Sequence, residues 1–331
     1  MKILVTMPKS GVRDGFLPPR VVKKLESIGE VEWNETSGNF SPGELKDRIK
    51  DVEVCIAGWG SARFDEEVLK DADRLKVIAY TGGSVANIVS DYLYEKGITV
   101  LSGNEIYAES VAEGVLTYIL TSLRRVIYFQ NQIFEGNWPP TEAWDEGILD
   151  QSIGLIGFGA VARYLTRMLE PFRVKVYAYD PYVDDEVLNS HGVERAGMEE
   201  IFANCKIISV HAAKTPETYH LIGKKQLESI QDGGLFVNTA RASIVDTEAL
   251  IGELLKNRFN AVIDVFDEEP LPADSPLIGL PNVLLQPHRG GPTTDRWEIV
   301  TLNLIEDTLR VFAGEKARLE IKKEYAMAMT Q

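Results

Sequence analysis

Short runs of β-branched and aliphatic residues alternate with amphipathic stretches almost from one end of the chain to the other. Runs of the first kind predict strands at 2–6, 52–57, 76–80, 152–156, 175–179, 207–211, 234–238, 261–265 and 283–286. Apolar positions three and four apart predict helices between most of them, including 19–28, 65–72, 161–170 and 247–257. Regular alternation of strand and helix predicts an α/β protein whose parallel sheets are covered by helices on both faces. The longest helical pattern covers 108–134 and is apolar over more than one face, so it needs more cover than a surface helix. A bridge between domains, a second subunit or an ordinary internal helix would each supply that cover. No internal repeat and no low-complexity segment interrupts the pattern.

One strand-to-helix junction carries a phosphate-binding signature. Gly157-Phe158-Gly159-Ala160-Val161-Ala162 follows the strand at 152–156 and opens a helix. Gly157 permits the tight turn, Gly159 lets the backbone approach a pyrophosphate, and Ala162 keeps helix and strand close. The helix N-terminus offers free N–H groups and a positive dipole end. The next strand ends in Asp180, about 20 residues on, where a ribose-binding acid belongs. That carboxylate would repel a 2′-phosphate, Pro181 follows it, and no arginine adjoins it in sequence. The cofactor expected is therefore NAD (NADH) rather than NADP.

Three residues near the ends of later strands form a candidate set for hydroxy-acid chemistry. Arg241 follows Asn238-Thr239-Ala240, and its guanidinium fork suits a carboxylate and a neighbouring carbonyl oxygen. Glu269 lies in Asp264-Val265-Phe266-Asp267-Glu268-Glu269-Pro270. His288 lies in Gln286-Pro287-His288-Arg289-Gly290-Gly291. A histidine paired with a carboxylate is favoured in its charged form, which suits a proton donor to a ketone. Of the other histidines, His191 reads as a helix C-terminal residue, His220 as a loop residue, and His211 as a strand-end residue lining the cofactor side.

Composition narrows the picture further. A chain of 331 residues accommodates two domains of ordinary size. Its net charge of −15 opposes nucleic-acid binding but not a small anionic substrate in its own local field. No apolar run approaches the ~20 residues that span a bilayer, and the N-terminus lacks the shape of a signal peptide. No membrane association and a cytoplasmic location are the expectations. Cys55 and Cys205 sit in apolar runs and read as buried, reduced thiols; no cluster has metal-ligand spacing, so no metal is expected.

Taken together, these segments resemble the D-isomer-specific 2-hydroxyacid dehydrogenase family. The likeness rests on Gly157–Ala162 with Asp180, on Val210-His211 followed by Thr215-Pro216-Glu217-Thr218, and on Asn238-Thr239-Ala240-Arg241. It rests also on Asp264-Val265-Phe266 with Glu269-Pro270 and on Pro287-His288 with Gly290-Gly291. Upstream, Gly82-Gly83-Ser84, Gly97-Ile98 and Val111-Ala112-Glu113 match as well. The resemblance implies two doubly wound parallel-sheet domains, a Rossmann nucleotide domain (102–289) inserted into a flavodoxin-like substrate domain (1–101 and 290–331). The active site would lie in a cleft closed by a hinge, and the last helix, near 294–313, would rejoin the first domain. A homodimer, with the 108–134 helix in its interface, is also implied.

The resemblance further implies the roles of individual residues. Arg241 would bind the substrate carboxylate and carbonyl oxygen, His288 would act as general acid and base, and Glu269 would orient and charge His288. Backbone N–H groups of Gly82, Gly83 and Ser84 would complete the substrate site for a small 2-hydroxy or 2-keto acid. Gly157, Gly159, Ala160, Val161, Asp180, Pro181, His211, Thr215, Thr239, Ala240, Asp264, His288 and Val111 would contact the cofactor. Departures from the pattern are Ala242 for a usual glycine, Ala213 for a usual proline, Lys214 for an apolar residue, and Arg289 after the histidine. Arg289 would favour a substrate with a second anionic group, or else face solvent or a second subunit. Around Gly58-Trp59-Gly60-Ser61 the chain resembles a less characterised branch, in which Trp59 would shape the substrate pocket.

Other readings remain at this point. The same scaffold serves NAD(H)-sensing corepressors, which keep the catalytic trio. A formate dehydrogenase would carry glutamine in place of Glu269, and a full phosphoglycerate dehydrogenase would need more chain after Ala313.

Overall fold

A computed structural model describes residues 1–143 and 145–330. The chain divides into two compact units, Met1–Tyr107 with Pro292–Gln331, and Ala108–Gly291.

The first unit is built on five parallel strands: β1 (Lys2–Val5), β2 (Glu30–Trp33), β3 (Val54–Ala57), β4 (Val77–Tyr80) and β5 (Thr99–Ser102). Their order is β2-β1-β3-β4-β5, the flavodoxin-like doubly wound arrangement. β3 and β4 are buried at every position because helices cover both faces of a parallel sheet. The helix Pro19–Ile28 begins with proline at its first position, where no backbone donor is needed, and buries Val21 and Leu25. A 3-10 turn, Thr294–Arg296, leads into the helix Trp297–Phe312, which packs Val300, Leu304 and Ile305 into the core shared with β1, β3 and β4.

The second unit carries seven parallel strands: β6 (Ser152–Ile156), β7 (Lys175–Tyr179), β8 (Val193–Arg195), β9 (Ile207–Val210), β10 (Leu235–Asn238), β11 (Asn260–Ile263) and β12 (Val283–Leu285). Their order, β12-β11-β10-β9-β6-β7-β8, is the Rossmann order with one strand added at the far edge. The order reverses between β6 and β9, so a crevice opens beyond the carboxyl ends of those strands.

The long helical pattern is two helices rather than one. Asn104–Leu123 ends at Arg124, and a second helix, Val126–Phe134, begins after Arg125, whose φ of 48° is left-handed. A left-handed residue cannot continue an α-helix, and the amide of Glu146 meets the carbonyl of Leu123 at 2.9 Å. The first helix is solidly packed through Ala112, Val115 and Ile119. The second buries none of its residues, and Val126, Ile127, Ile133 and Phe134 are exposed.

Both cysteines are buried and free. Burial pushes both thiols up, Cys205 to about 11, so neither is a thiolate near neutrality. Among the described residues no helix is long and apolar enough to cross a membrane, and no cluster of side chains could hold a metal ion.

Candidate active site and nucleotide site

The glycine motif stands at the carboxyl end of β6. Gly157 has φ 94°, and a Cβ there would lie 2.6 Å from the amide nitrogen of Ala212, so only glycine fits. Gly159 caps the helix Ala160–Leu169 with open space around its Cα. The amides of Ala160, Val161 and Ala162 make no hydrogen bond among the described residues, and Ala162 is fully buried against β6. This leaves an open cradle of helix N–H groups suited to a pyrophosphate.

Asp180 lies beyond the end of the neighbouring strand β7. Its Oδ2 accepts from the amide of Phe158 at 2.8 Å, and its Oδ1 accepts from that of Tyr182 at 2.9 Å. The carboxylate is thereby pinned beside the glycine turn, with lone pairs left for ribose hydroxyls. An arginine does reach this loop, although none adjoins it in sequence. Arg195 comes from β8, next to β7 in the sheet, and donates to the Asp180 carbonyl at 2.7 Å. Its other donors go to the Asp185 carboxylate and the Val183 carbonyl. The guanidinium is therefore spent on the loop.

The remaining expected cofactor contacts line the same edge of the sheet. His211 follows β9, and its Nε2 is buried without a partner among the described residues; burial pulls its pKa down to about 4, keeping it neutral. Thr215 closes a tight loop in which its amide donates to Thr218 Oγ1 at 2.8 Å. Thr239 Oγ1 is buried and unpartnered. Val111 packs at the margin of the core, and Pro181 is exposed. The glycine cradle, the pinned acid and two orphaned buried polar atoms together fit a dinucleotide.

Three further strand ends carry the chemical groups. Asn238, the last residue of β10, accepts from the amide of Ala240 at 3.1 Å and donates to the carbonyl of Arg241 at 3.1 Å. That side chain fixes the turn presenting Arg241, a role that no pattern of residues discloses. Burial lowers the pKa of Arg241, and the charge of Glu269 opposes this. Glu269, beyond β11, accepts from the amide of Phe266 at 3.0 Å through Oε1, while its Oε2 meets His288 Nδ1 at 2.8 Å. Burial pushes the Glu269 pKa up, but the His288 bond, the Phe266 amide and the charges of His288 and Arg241 outweigh it and hold it low. With Nδ1 bound to the carboxylate, Nε2 is the ring nitrogen left for a substrate.

The residues after His288 are anchored by Asp264, which is 1% exposed. Its two oxygens accept from the amides of Arg289 and Gly290, each at 2.7 Å. A Cβ on Gly290 would lie 2.7 Å from Asp264 Oδ2, and one on Gly114 would lie 3.5 Å from the Gly290 Cα, so helix and loop meet through two glycines. His288 itself has φ 53°, a left-handed conformation that the Asp264 clamp holds in place. Tyr118, on the helix Asn104–Leu123, is pushed up to about 12 by burial and by the Asp264 charge, partly offset by Arg289. His191 caps the end of the helix Asp185–Ser190, and His220 stacks on Tyr219; neither meets the trio.

In the first unit, Gly82-Gly83-Ser84 follows β4. Ser102 Oγ and the Gly103 amide hold the Gly82 carbonyl, each at 3.1 Å, and Ser102 Oγ also meets the Gly83 carbonyl. The amides of Gly82, Gly83 and Ser84 have no partner among the described residues. Successive free amides of this kind form an anion-binding concavity.

The NAD-binding domain of D-isomer specific 2-hydroxyacid dehydrogenases matches residues 116–290. Hydroxypyruvate reductase of Thermotoga maritima is 31% identical over 84% of this chain and 91% of its own length. The chain belongs to the D-isomer specific 2-hydroxyacid dehydrogenase family. Its NAD-binding domain contains the glycine turn, Asp180, Arg241, Glu269 and His288. D-3-phosphoglycerate dehydrogenase of Methanocaldococcus jannaschii is 31% identical over 96% of this chain, which spans 58% of that protein. Among solved structures, a phosphoglycerate oxidoreductase from Rhizobium etli superposes with a TM-score of 0.83, at 25% identity, over 98% of this chain and 99% of that one.

Proposed function

We propose that this chain catalyses hydride transfer between NAD and a small 2-hydroxy acid of D configuration, acting as a 2-keto acid reductase in the presence of NADH. The observation that carries the reading is the Glu269–His288 pair, joined at 2.8 Å, on the same sheet edge as Arg241 and the nucleotide cradle.

NADH, which the glycine turn and Asp180 would hold, would supply the hydride. Arg241 takes the substrate carboxylate and the neighbouring carbonyl oxygen, stabilising the negative charge that grows on that oxygen. His288 Nε2 donates the proton that completes the alcohol, and in oxidation takes it back. Glu269 holds the ring by Nδ1, which leaves Nε2 to face the substrate. Asn238 and Asp264 fix the backbone on which Arg241 and His288 stand. The free amides of Gly82, Gly83 and Ser84 are proposed to bind an anionic group. A homodimer belongs to the same reading, supported by the four exposed apolar side chains of the helix Val126–Phe134.

Loss of NADH absorbance with a series of 2-keto acids tests the proposal. Turnover that Arg241→Lys reduces by about a hundredfold supports it, because a point-charge ammonium cannot replace the bidentate fork. Tight NADH binding without turnover of any acid would refute it.

A further inference from the structure

A cavity of about 350 Å³ lies wholly within the second unit, and no residue of the glycine turn lines it. Its walls are the helix Thr247–Leu254 and the segment that leaves β11 at Val265 and re-enters the core at Leu277. Pro272 and Pro276 fix the backbone of that segment and offer no amide, and the Ser275 amide donates to the Pro272 carbonyl at 3.0 Å. The segment therefore turns on itself beside the helix. The floor between them is apolar, made by the buried side chains of Val245, Leu250, Ile263 and Val265. A volume of this size is ordinary for a small-molecule site, which spans about 300–1,000 Å³.

The charged part of the lining has one sign. Asp267, Glu268 and Asp274 line the cavity and are exposed, and no lysine, arginine or histidine lines it. None of the three acids forms an ion pair among the described residues. Their field opposes an anion and attracts a cation. A metal ion does not fit, since among the described residues no cluster of side chains could hold one. An apolar floor beneath free carboxylates suits a cation that carries its own hydrocarbon body. Asn238 and Phe266 also line the cavity. Asn238 braces the Arg241 turn and the Phe266 amide holds Glu269, so an occupant would rest against both supports.

We propose that this cavity is a second ligand site, separate from those for NAD and the hydroxy acid, and that it takes a small organic amine. The ammonium group faces Asp267, Glu268 and Asp274, and the hydrocarbon body lies on Val245, Leu250 and Ile263.

Calorimetric titration of the full chain with 3-phenylpropylamine, 3-phenyl-1-propanol and 3-phenylpropanoate tests the site, because the three probes share a body and differ in charge. The amine should bind at one site with a Kd of about 1 mM or below, the alcohol about tenfold more weakly, and the carboxylate more weakly still. The combined variant Asp267→Asn, Glu268→Gln, Asp274→Asn changes only exposed side chains. It should weaken the amine by about tenfold and leave the alcohol within about twofold. Ile251→Trp puts bulk into the cavity from a half-buried position and should weaken both by at least about tenfold, with the fold checked by circular dichroism. No binding of the amine at about 10 mM, equal or tighter binding of the alcohol or the carboxylate, or amine binding indifferent to the combined variant overturns the proposal. Calorimetry reads binding and not turnover, so failure of the site leaves the dehydrogenase reading intact, and a chain that turned over no keto acid would still decide the site by these titrations.

Discussion

Replacing Asp264 by asparagine removes one acceptor from a buried carboxylate that holds two backbone amides. Both hydrogen bonds are 2.7 Å long, and the residue is 1% exposed, so water cannot substitute for the lost oxygen. The asparagine carbonyl can keep one amide, and its NH2 group must then face the other. Losing a hydrogen bond to a charged group costs about 1.5–3 kcal/mol. Relief of a charge that burial disfavours, as the raised pKa of Asp264 attests, offsets part of this. A net loss of about 1–2 kcal/mol follows for Asp264→Asn, and of about 2–5 kcal/mol for Asp264→Ala, which orphans both amides. The freed segment begins immediately after His288, so loosening it misplaces the proton donor, and kcat should fall by roughly tenfold or more. Urea unfolding with and without NADH gives the stability term, and steady-state kinetics on a responsive 2-keto acid gives the catalytic one. Stability within about 0.3 kcal/mol of wild type together with kcat within twofold would refute the clamp, since surface substitutions alone lie in that range.

Other expectations follow from the same geometry. Glu269→Gln should lower kcat by roughly tenfold to a hundredfold. The wild-type pairing exists above the ordinary carboxylate range and is lost as pH falls through the lowered Glu269 value, so the variant's rate profile should lack that acid limb. Asp180→Ala should weaken NADH binding by roughly tenfold and narrow the preference over NADPH, read by fluorescence titration of both cofactors; an unchanged NADH Kd would contradict the ribose assignment. Gly157→Ala forces a methyl into the Ala212 amide at a left-handed φ and should abolish measurable NADH binding, checked by calorimetry on protein shown to be folded by circular dichroism.

The sequence pattern revealed the interior strands most plainly. Interior strands such as β3, β4, β9 and β10 are buried at every position, and their apolar runs announce them. The three strands the pattern did not predict, β2, β5 and β8, all lie at sheet edges. β2 reads Glu-Val-Glu-Trp and β8 reads Val-Glu-Arg, because an edge needs less apolar cover and tolerates charge. The break at Arg125 was equally hidden, for no glycine or proline marks it. At the site, residue order disclosed Arg241, Glu269 and His288 as candidates. It could not disclose Asn238 as the brace of one turn or Asp264 as the anchor of another, since those roles depend on hydrogen bonds between loops. Nor could it bring Phe16, Trp59 and Trp297 together, which are separated by most of the chain and joined only by the fold.

The most direct test of the central claim couples turnover to product chirality. Purified protein, NADH and a responsive 2-keto acid are allowed to react, and the hydroxy acid formed is resolved on a chiral column, for the wild type and for His288→Asn. The account predicts the D-hydroxy acid in amounts equal to the NADH consumed, with the variant binding NADH normally but turning over at least a hundredfold more slowly. An L or racemic product, or a variant as fast as the wild type, would contradict it.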